Sequence, residues 1–231
     1  MQLFIIVLVI SFIVFLFGLH ILAKEDLIFV RKNVTMETLF NIAFYTAGMG
    51  LLSARIVYII LNPSFGFFNP LVFFLFPYFP GLSLIGGIVG GIVFLLFYKR
   101  KKYPTSRIFD FFSMALLGAL PVGFLGHHLL SGMLDVFSGV FIPLIFVLTL
   151  LFFIKILVPL NLRGEIKDGS LGYLFLVVFS FTTLLAAYVR TTNSIYIFLQ
   201  IDNILLLLLF AASLLLLFFR EKEITFFRKD K

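Results

Sequence analysis

Seven apolar runs, set apart by short polar or basic stretches, organise this chain of 231 residues. They lie at about 2–23, 38–61, 81–98, 108–130, 135–158, 170–189 and 199–219. Runs of this length match the roughly 20 residues that a helix needs to cross the hydrocarbon core of a bilayer. The pattern lacks the short alternating strands of a transmembrane barrel. The expectation is an all-α, polytopic integral membrane protein with seven transmembrane helices in a single transmembrane domain, 1–231. The first run has no basic stretch ahead of it and is too long for the apolar core of a secretory signal, so it is read as a span.

Charge orients these spans. Sixteen of the eighteen Lys and Arg residues fall in 24–37, 99–107, 155–169 and the tail from 220. The alternate connections hold one, Arg190, and the last, Arg55, lies inside a span. Basic loops stay on the cytoplasmic side, so the N-terminus is expected outside and the C-terminus inside. An even number of spans would break the alternation. Because the chain has no native Cys, single-cysteine labelling tests this directly. An impermeant thiol reagent should modify Asn193→Cys and spare Lys102→Cys; the reverse pattern would overturn the orientation.

Two stretches fall outside the spans. Residues 62–80, NPSFGFFNPLVFFLFPYFP, carry four Pro and seven Phe. The prolines oppose a regular helix and the rings avoid water, which predicts a hydrophobic arm in the outer membrane interface. Residues 220–231 read as a basic cytoplasmic tail that meets anionic lipid.

Composition narrows the chemistry. With no Cys, the chain has no disulfide, no thiolate nucleophile and no Cys-type metal site. The net charge of +7 resides in the loops between spans, so it marks membrane topology and not a nucleic-acid surface. No metal site and no cofactor are expected, since His127 and His128 have no Glu, Asp or His at a matching spacing.

Orientation and a rise of about 1.5 Å per residue bring the unusual residues to one depth. Arg55 lies six residues before the end of its span at Leu61, roughly 9 Å below the outer boundary. Gly86 and Gly87, then His127 and His128, then Arg190, and finally Asp202 with Asn203 approach the same outer half. An arginine in hydrocarbon costs several kcal/mol unless it is paired or meets water, so Arg55 is a candidate site residue whose fork suits a phosphate. Snorkelling to the outer headgroups is the alternative. The run GGIVGG at 86–91 suits close helix packing, or, alternatively, an anion held by backbone N–H groups. Adjacent histidines point about 100° apart on a helix. One of them suits a general base, and a polar helix end is the plainer reading. Asp110 is expected to favour the N-terminus of its own helix. Asp202 is read either as a partner of Arg190 or Arg55, or as solvated. A transporter is disfavoured because no charged relay runs through the inner half of the spans.

Several motifs in one order resemble the prolipoprotein diacylglyceryl transferase family over about residues 39–219. FYTAGMGLLSARIVYIILN, 44–62, is similar to the family's Gly-rich helix ending in Gly-Ala-Arg-x-x-Tyr, with Ala54, Arg55 and Tyr58 in place and Ser53 for Gly. GLSLIGGIVGG, 81–91, is similar to Gly-x-Ser-x-His-Gly-Gly. KRKKYPTSRIFD leads to Asp110, GFLGHHLLSG falls on the Gly-Arg-x-Gly-Asn region, and LFLVVFSFTTLLAAYVR falls on Arg-x-x-x-Glu-x-x-Arg. The resemblance implies a multi-pass protein of the bacterial cytoplasmic (inner) membrane. It would move a diacylglyceryl group from phosphatidylglycerol to the thiol of a lipobox cysteine on a preprolipoprotein.

On this basis Arg55, Tyr58 and Arg190, with the Gly86 and Gly87 backbone, would bind the lipid, and His127 or His128 would serve as catalytic base. The departures fall on the family's reactive positions. Its His is Ile85 here, its Arg and Asn are Phe124 and His127, and its sixth-helix Arg and Glu are Thr183 and Ala187. The alternative is therefore a catalytically inactive member that binds lipid or another membrane protein.

Overall fold

The computed structural model describes residues 2–24, 26–63, 81–98, 103–131, 137–190 and 200–229, with the side chains of Gln2, Ser131, Phe137, Ser138, Arg190 and residues 223–229 outside that description. It is helical throughout the described elements: α1 (Gln2–Lys24), α2 (Leu27–Arg31), α3 (Met36–Leu61), α4 (Leu84–Phe97), α5 (Thr105–Ser131), α6 (Ile142–Phe152), α7 (Val158–Leu162), α8 (Ser170–Arg190) and α9 (Ile201–Lys229). A π-turn, Phe137–Phe141, leads into α6, and a second, Phe153–Leu157, joins α6 to α7 to complete the fifth span. Among the described residues, six helices are long and apolar enough to cross a membrane, and Leu84–Phe97 is a shorter apolar helix. The expected polytopic all-α architecture of about seven helices is what forms. The arm expected at 62–80 lies, from residue 64, outside the described residues.

Local chemistry sets the helix ends. Thr35 caps α3 by accepting from Thr38 N at 3.2 Å. Asp26 caps the short α2 by accepting from Ile28 N and Phe29 N, both at 3.0 Å. Each supplies an oxygen to amides that the first helical turn leaves without partners. The third apolar run becomes helix only from Leu84, not from residue 81, because Ser83 is extended and accepts from Gly86 N at 3.2 Å. Each π-turn ends two residues before a proline, Pro143 or Pro159. Proline has no N–H for the carbonyl four residues back, and its ring crowds that carbonyl; a widened turn accommodates both.

The central helix is α5. It packs on α1, α6 and α8, while α3 pairs with α4 and α8 with α9. Ile108, Phe111, Phe112, Met114, Ala115 and Leu117 are buried along it. Rings join the helices: Phe15 meets Phe112 edge-on at 5.5 Å and Phe29 meets Phe111 at 5.2 Å. With lipid as apolar as the side chains, helix association rests on such packing and on interhelical hydrogen bonds.

Those hydrogen bonds concentrate at the basic end of the bundle. Arg107 donates from Nε and Nη2 to Asp26 Oδ2 at 3.1 and 2.8 Å, and from Nη1 to Asp168 Oδ1 at 2.9 Å and to Asn161 Oδ1. The Asp110 carboxylate accepts from Gly169 N at 2.5 Å and from Gly172 N at 2.8 Å. It therefore caps α8, not its own helix. That corrects the sequence expectation: α5 begins at Thr105, so Asp110 lies beyond its first turn. Arg220 donates to Asp168 O at 2.7 Å and to Ser106 Oγ at 3.0 Å, and Glu221 accepts from Lys167 N at 3.3 Å and from Ser170 Oγ. These partners hold the start of the expected tail in helix, so α9 continues past 219 to Lys229.

Candidate functional site

Arg55 is buried, at 2% exposure, on the C-terminal half of α3. Its Nη1 donates to Gly81 O at 2.8 Å. One turn further on, the Tyr58 ring covers the Gly81 α-carbon so closely that a Cβ there would overlap it. Gly81 has φ +146°, where a side chain is strained in any case. Arg55 and Tyr58 thus grip the same backbone unit at the point where the chain leaves the 64–80 stretch for α4.

The rest of the α3–α4 contact is made of backbone and one hydroxyl. Ser53 Oγ donates to Gly86 O at 2.8 Å and to Gly50 O at 3.0 Å. Ser83 N donates to Ala54 O at 3.0 Å. A Cβ on Gly87 would stand 3.5 Å from the Ala54 Cβ, and one on Gly90 would overlap Ser53. The glycine run therefore works as a packing seam. Its amides are engaged locally as well: Gly86 N meets Ser83 Oγ at 3.2 Å and Gly87 N meets Ser83 O at 3.0 Å. The structure brings Arg55, Tyr58, Gly86 and Gly87 onto one helix pair.

The two histidines stand elsewhere, at the end of α5. Gly126 faces α1, where a Cβ would overlap Val7. The next residue, His127, is exposed. His128 turns a further 100° and lies against Gly139 of the first π-turn. Arg190 ends α8, and its side chain lies outside the described residues. Asp202 is exposed on α9, and its neighbour Asn203 is buried.

The positions that depart from the family pattern are filled apolar or closed on themselves. Phe124 stacks on Phe146 at 5.6 Å, Phe146 on Phe179 at 6.4 Å, and Phe179 on Phe175 at 6.0 Å. This ring column occupies the interior where an arginine would need counter-charge. Thr183 Oγ1 donates back to Phe179 O at 2.7 Å, spending its proton within α8. Ile85 packs on the hydrophobic core. Among the described residues no group of three or more His, Asp or Glu side chains is placed to hold a metal ion. Gly139 was not singled out from the sequence, and Gly81 and Ser83 entered only as the Gly and Ser of the 81–91 motif, with no role assigned. Their roles are close backbone approach and capping, for which a lone Gly or Ser between apolar residues gives only the weak signal of its small size.

The structure is that of a helical multi-pass membrane protein with a buried arginine clamped on a Gly-seamed helix pair. The model of the prolipoprotein diacylglyceryl transferase family matches residues 1–132, more than half of the chain, and the chain belongs to that family. No curated protein and no solved structure matches it. The match covers α1 to α5, including Arg55, Tyr58, the glycine seam and both histidines. Family membership makes this a transferase-like protein of lipoprotein biosynthesis, with lipid and lipoprotein as the substrates the family implies.

Proposed function

We propose that this chain binds phosphatidylglycerol beside α3 and α4 in the bacterial inner membrane and transfers its diacylglyceryl group to a lipobox cysteine. The observation that carries the reading is Arg55, a guanidinium buried in an apolar span and held to Gly81 O at 2.8 Å, where the chain enters α4. The planar guanidinium fork matches the geometry of a phosphate oxygen pair, and Tyr58 flanks it. Arg190 is the second phosphate partner in this reading, and Gly86 and Gly87 serve the lipid site by holding α4 tightly against α3, which keeps Gly81 within reach of Arg55. In the reaction, His127 or His128 takes the thiol proton. The sulfur then bonds to the glycerol carbon that carries the phosphate, and the C–O bond breaks to release glycerol phosphate.

A second reading, lipid binding without transfer, is favoured by the Phe124 ring column and by the self-bonded Thr183. One preparation tests both: purified protein in phosphatidylglycerol micelles with a lipobox peptide, read by mass spectrometry for the diacylglyceryl thioether and for retained lipid. Arg55→Leu should lower lipid retention by about 10- to 100-fold, the worth of a charged hydrogen bond. Arg55→Lys, which keeps charge but not the fork, should fall between. Equal retention in all three proteins would leave Arg55 a packing residue. Retained lipid without thioether in the wild type would select the second reading.

A further inference from the structure

The sequence offers two adjacent imidazoles and no reason to prefer either. The structure treats them differently. Gly126, His127 and His128 follow one another around α5 at about 100° intervals. Gly126 is pressed against Val7 of α1, which fixes the roll of the helix end. His127 is then left exposed, and His128 is carried to the opposite side, onto the π-turn Phe137–Phe141.

The contact there is shaped for a ring. A Cβ built on Gly139 would lie about equally close to Cδ2, Nε2 and Cε1 of His128. Three consecutive ring atoms equidistant from one point mean that the point lies over the ring face, not at its edge. The imidazole therefore rests flat on the Gly139 α-carbon, with its nitrogens at the rim. Gly139 is itself buried. The widened turn that presents it has its own cause in Pro143, four residues on. Two features that the family resemblance does not use, a π-turn and a glycine within it, thus converge on one imidazole.

We propose that Gly139 and its π-turn form a positioning element that fixes the His128 ring, so that His128 and not His127 is the imidazole delivered to the reacting thiol. The first half concerns geometry alone; the second rests on the transfer reading above. A ring held on one face loses rotamer freedom before reaction, and that pre-orientation is what a positioned base needs.

Diethylpyrocarbonate modification of the full-length protein in detergent, resolved by peptide mass spectrometry, tests the geometry. In the wild type His127 should react several-fold faster than His128. Gly139→Ala should close that gap by dislodging the ring. Equal rates in the wild type, or an unchanged ratio in Gly139→Ala, would overturn the proposal. If Gly139→Ala does not fold, His128→Ala/Gly139→Ala should restore folded yield, because the methyl then enters the space the ring left; failure of that rescue also overturns it. In the thioether assay, His128→Gln should abolish transfer while His127→Gln keeps it. Gly139→Ala should lower kcat by about 10- to 100-fold with little change in KM. Loss with His127→Gln alone would reverse the assignment. A wild type that makes no thioether overturns the transfer reading and with it the reactive part of His128, whereas the modification ratio separately decides whether Gly139 holds the ring.

Discussion

Arg107→Met is expected to cost the folded chain about 3–5 kcal/mol, the range for breaking a buried ion pair from one side. Arg107 and Asp26 are each 3% exposed at the side chain and meet through two donors on one carboxylate oxygen. The other oxygen of Asp26 caps α2. Methionine fills the space but leaves the Asp26 charge buried, and it strands Asn161 Oδ1. Asp168, 38% exposed, has water to turn to, so its share of the loss is small. Arg107→Lys should fall between, since one ammonium cannot span three partners in the fork geometry of a guanidinium. Adding Asp26→Asn to Arg107→Met removes the orphaned charge and should recover part of the loss. Denaturant unfolding in detergent measures all four proteins. Wild-type stability in Arg107→Met would show that this cluster does not tie the helices together.

That cluster also marks where the sequence stopped being legible. Apolar runs gave the spans because a bilayer leaves few other ways to satisfy a backbone. Basic loops were read for orientation, and that use is blind to pairing. Arg107 was counted as a loop charge, yet its partners lie 81, 54 and 61 residues away. Arg220 was counted as a tail charge, yet it reaches Ser106 across 114 residues. Periodicity does not encode contacts at such separations. Asp110 shows the same limit: its position near a helix start suggested its own dipole, while the amides it meets belong to α8.

The candidate site was legible in part, and for a physical reason. Arg55 stood out because a guanidinium in an apolar run is costly wherever it ends up. The glycine run was visible, though its two readings were separated only by Ser83, whose hydroxyl and carbonyl take the Gly86 and Gly87 amides. The substitutions at 124 and 183 were visible as losses of polarity. What replaced that polarity, a ring column and a back-bonded hydroxyl, depends on the placement of Phe146, Phe175 and Phe179 on two other elements.

Ser53 is the departure that can be repaired from both sides, and Gly90→Ala is the variant that exposes it. A methyl at 90 would overlap both Oγ and Cβ of Ser53. Because the Cβ is fixed to the helix, rotation of the hydroxyl does not relieve the clash, and α4 must shift away from α3. Overpacking of this kind costs about 1–3 kcal/mol. The shift also loosens the two hydrogen bonds of Ser53 and pulls Gly81 from Arg55 and Tyr58, so phosphatidylglycerol retention should fall together with stability. Ser53→Gly restores the residue the family carries at this position. It gives up the bond to Gly86 O but opens space for the methyl. The double variant Ser53→Gly/Gly90→Ala should therefore be more stable than Gly90→Ala alone and should retain lipid near the wild-type level. Denaturant unfolding and native mass spectrometry read the two effects separately. A neutral Gly90→Ala would mean that the helices do not approach this closely. A double variant with stability restored and lipid still lost would detach Arg55 from the lipid reading while leaving the seam intact.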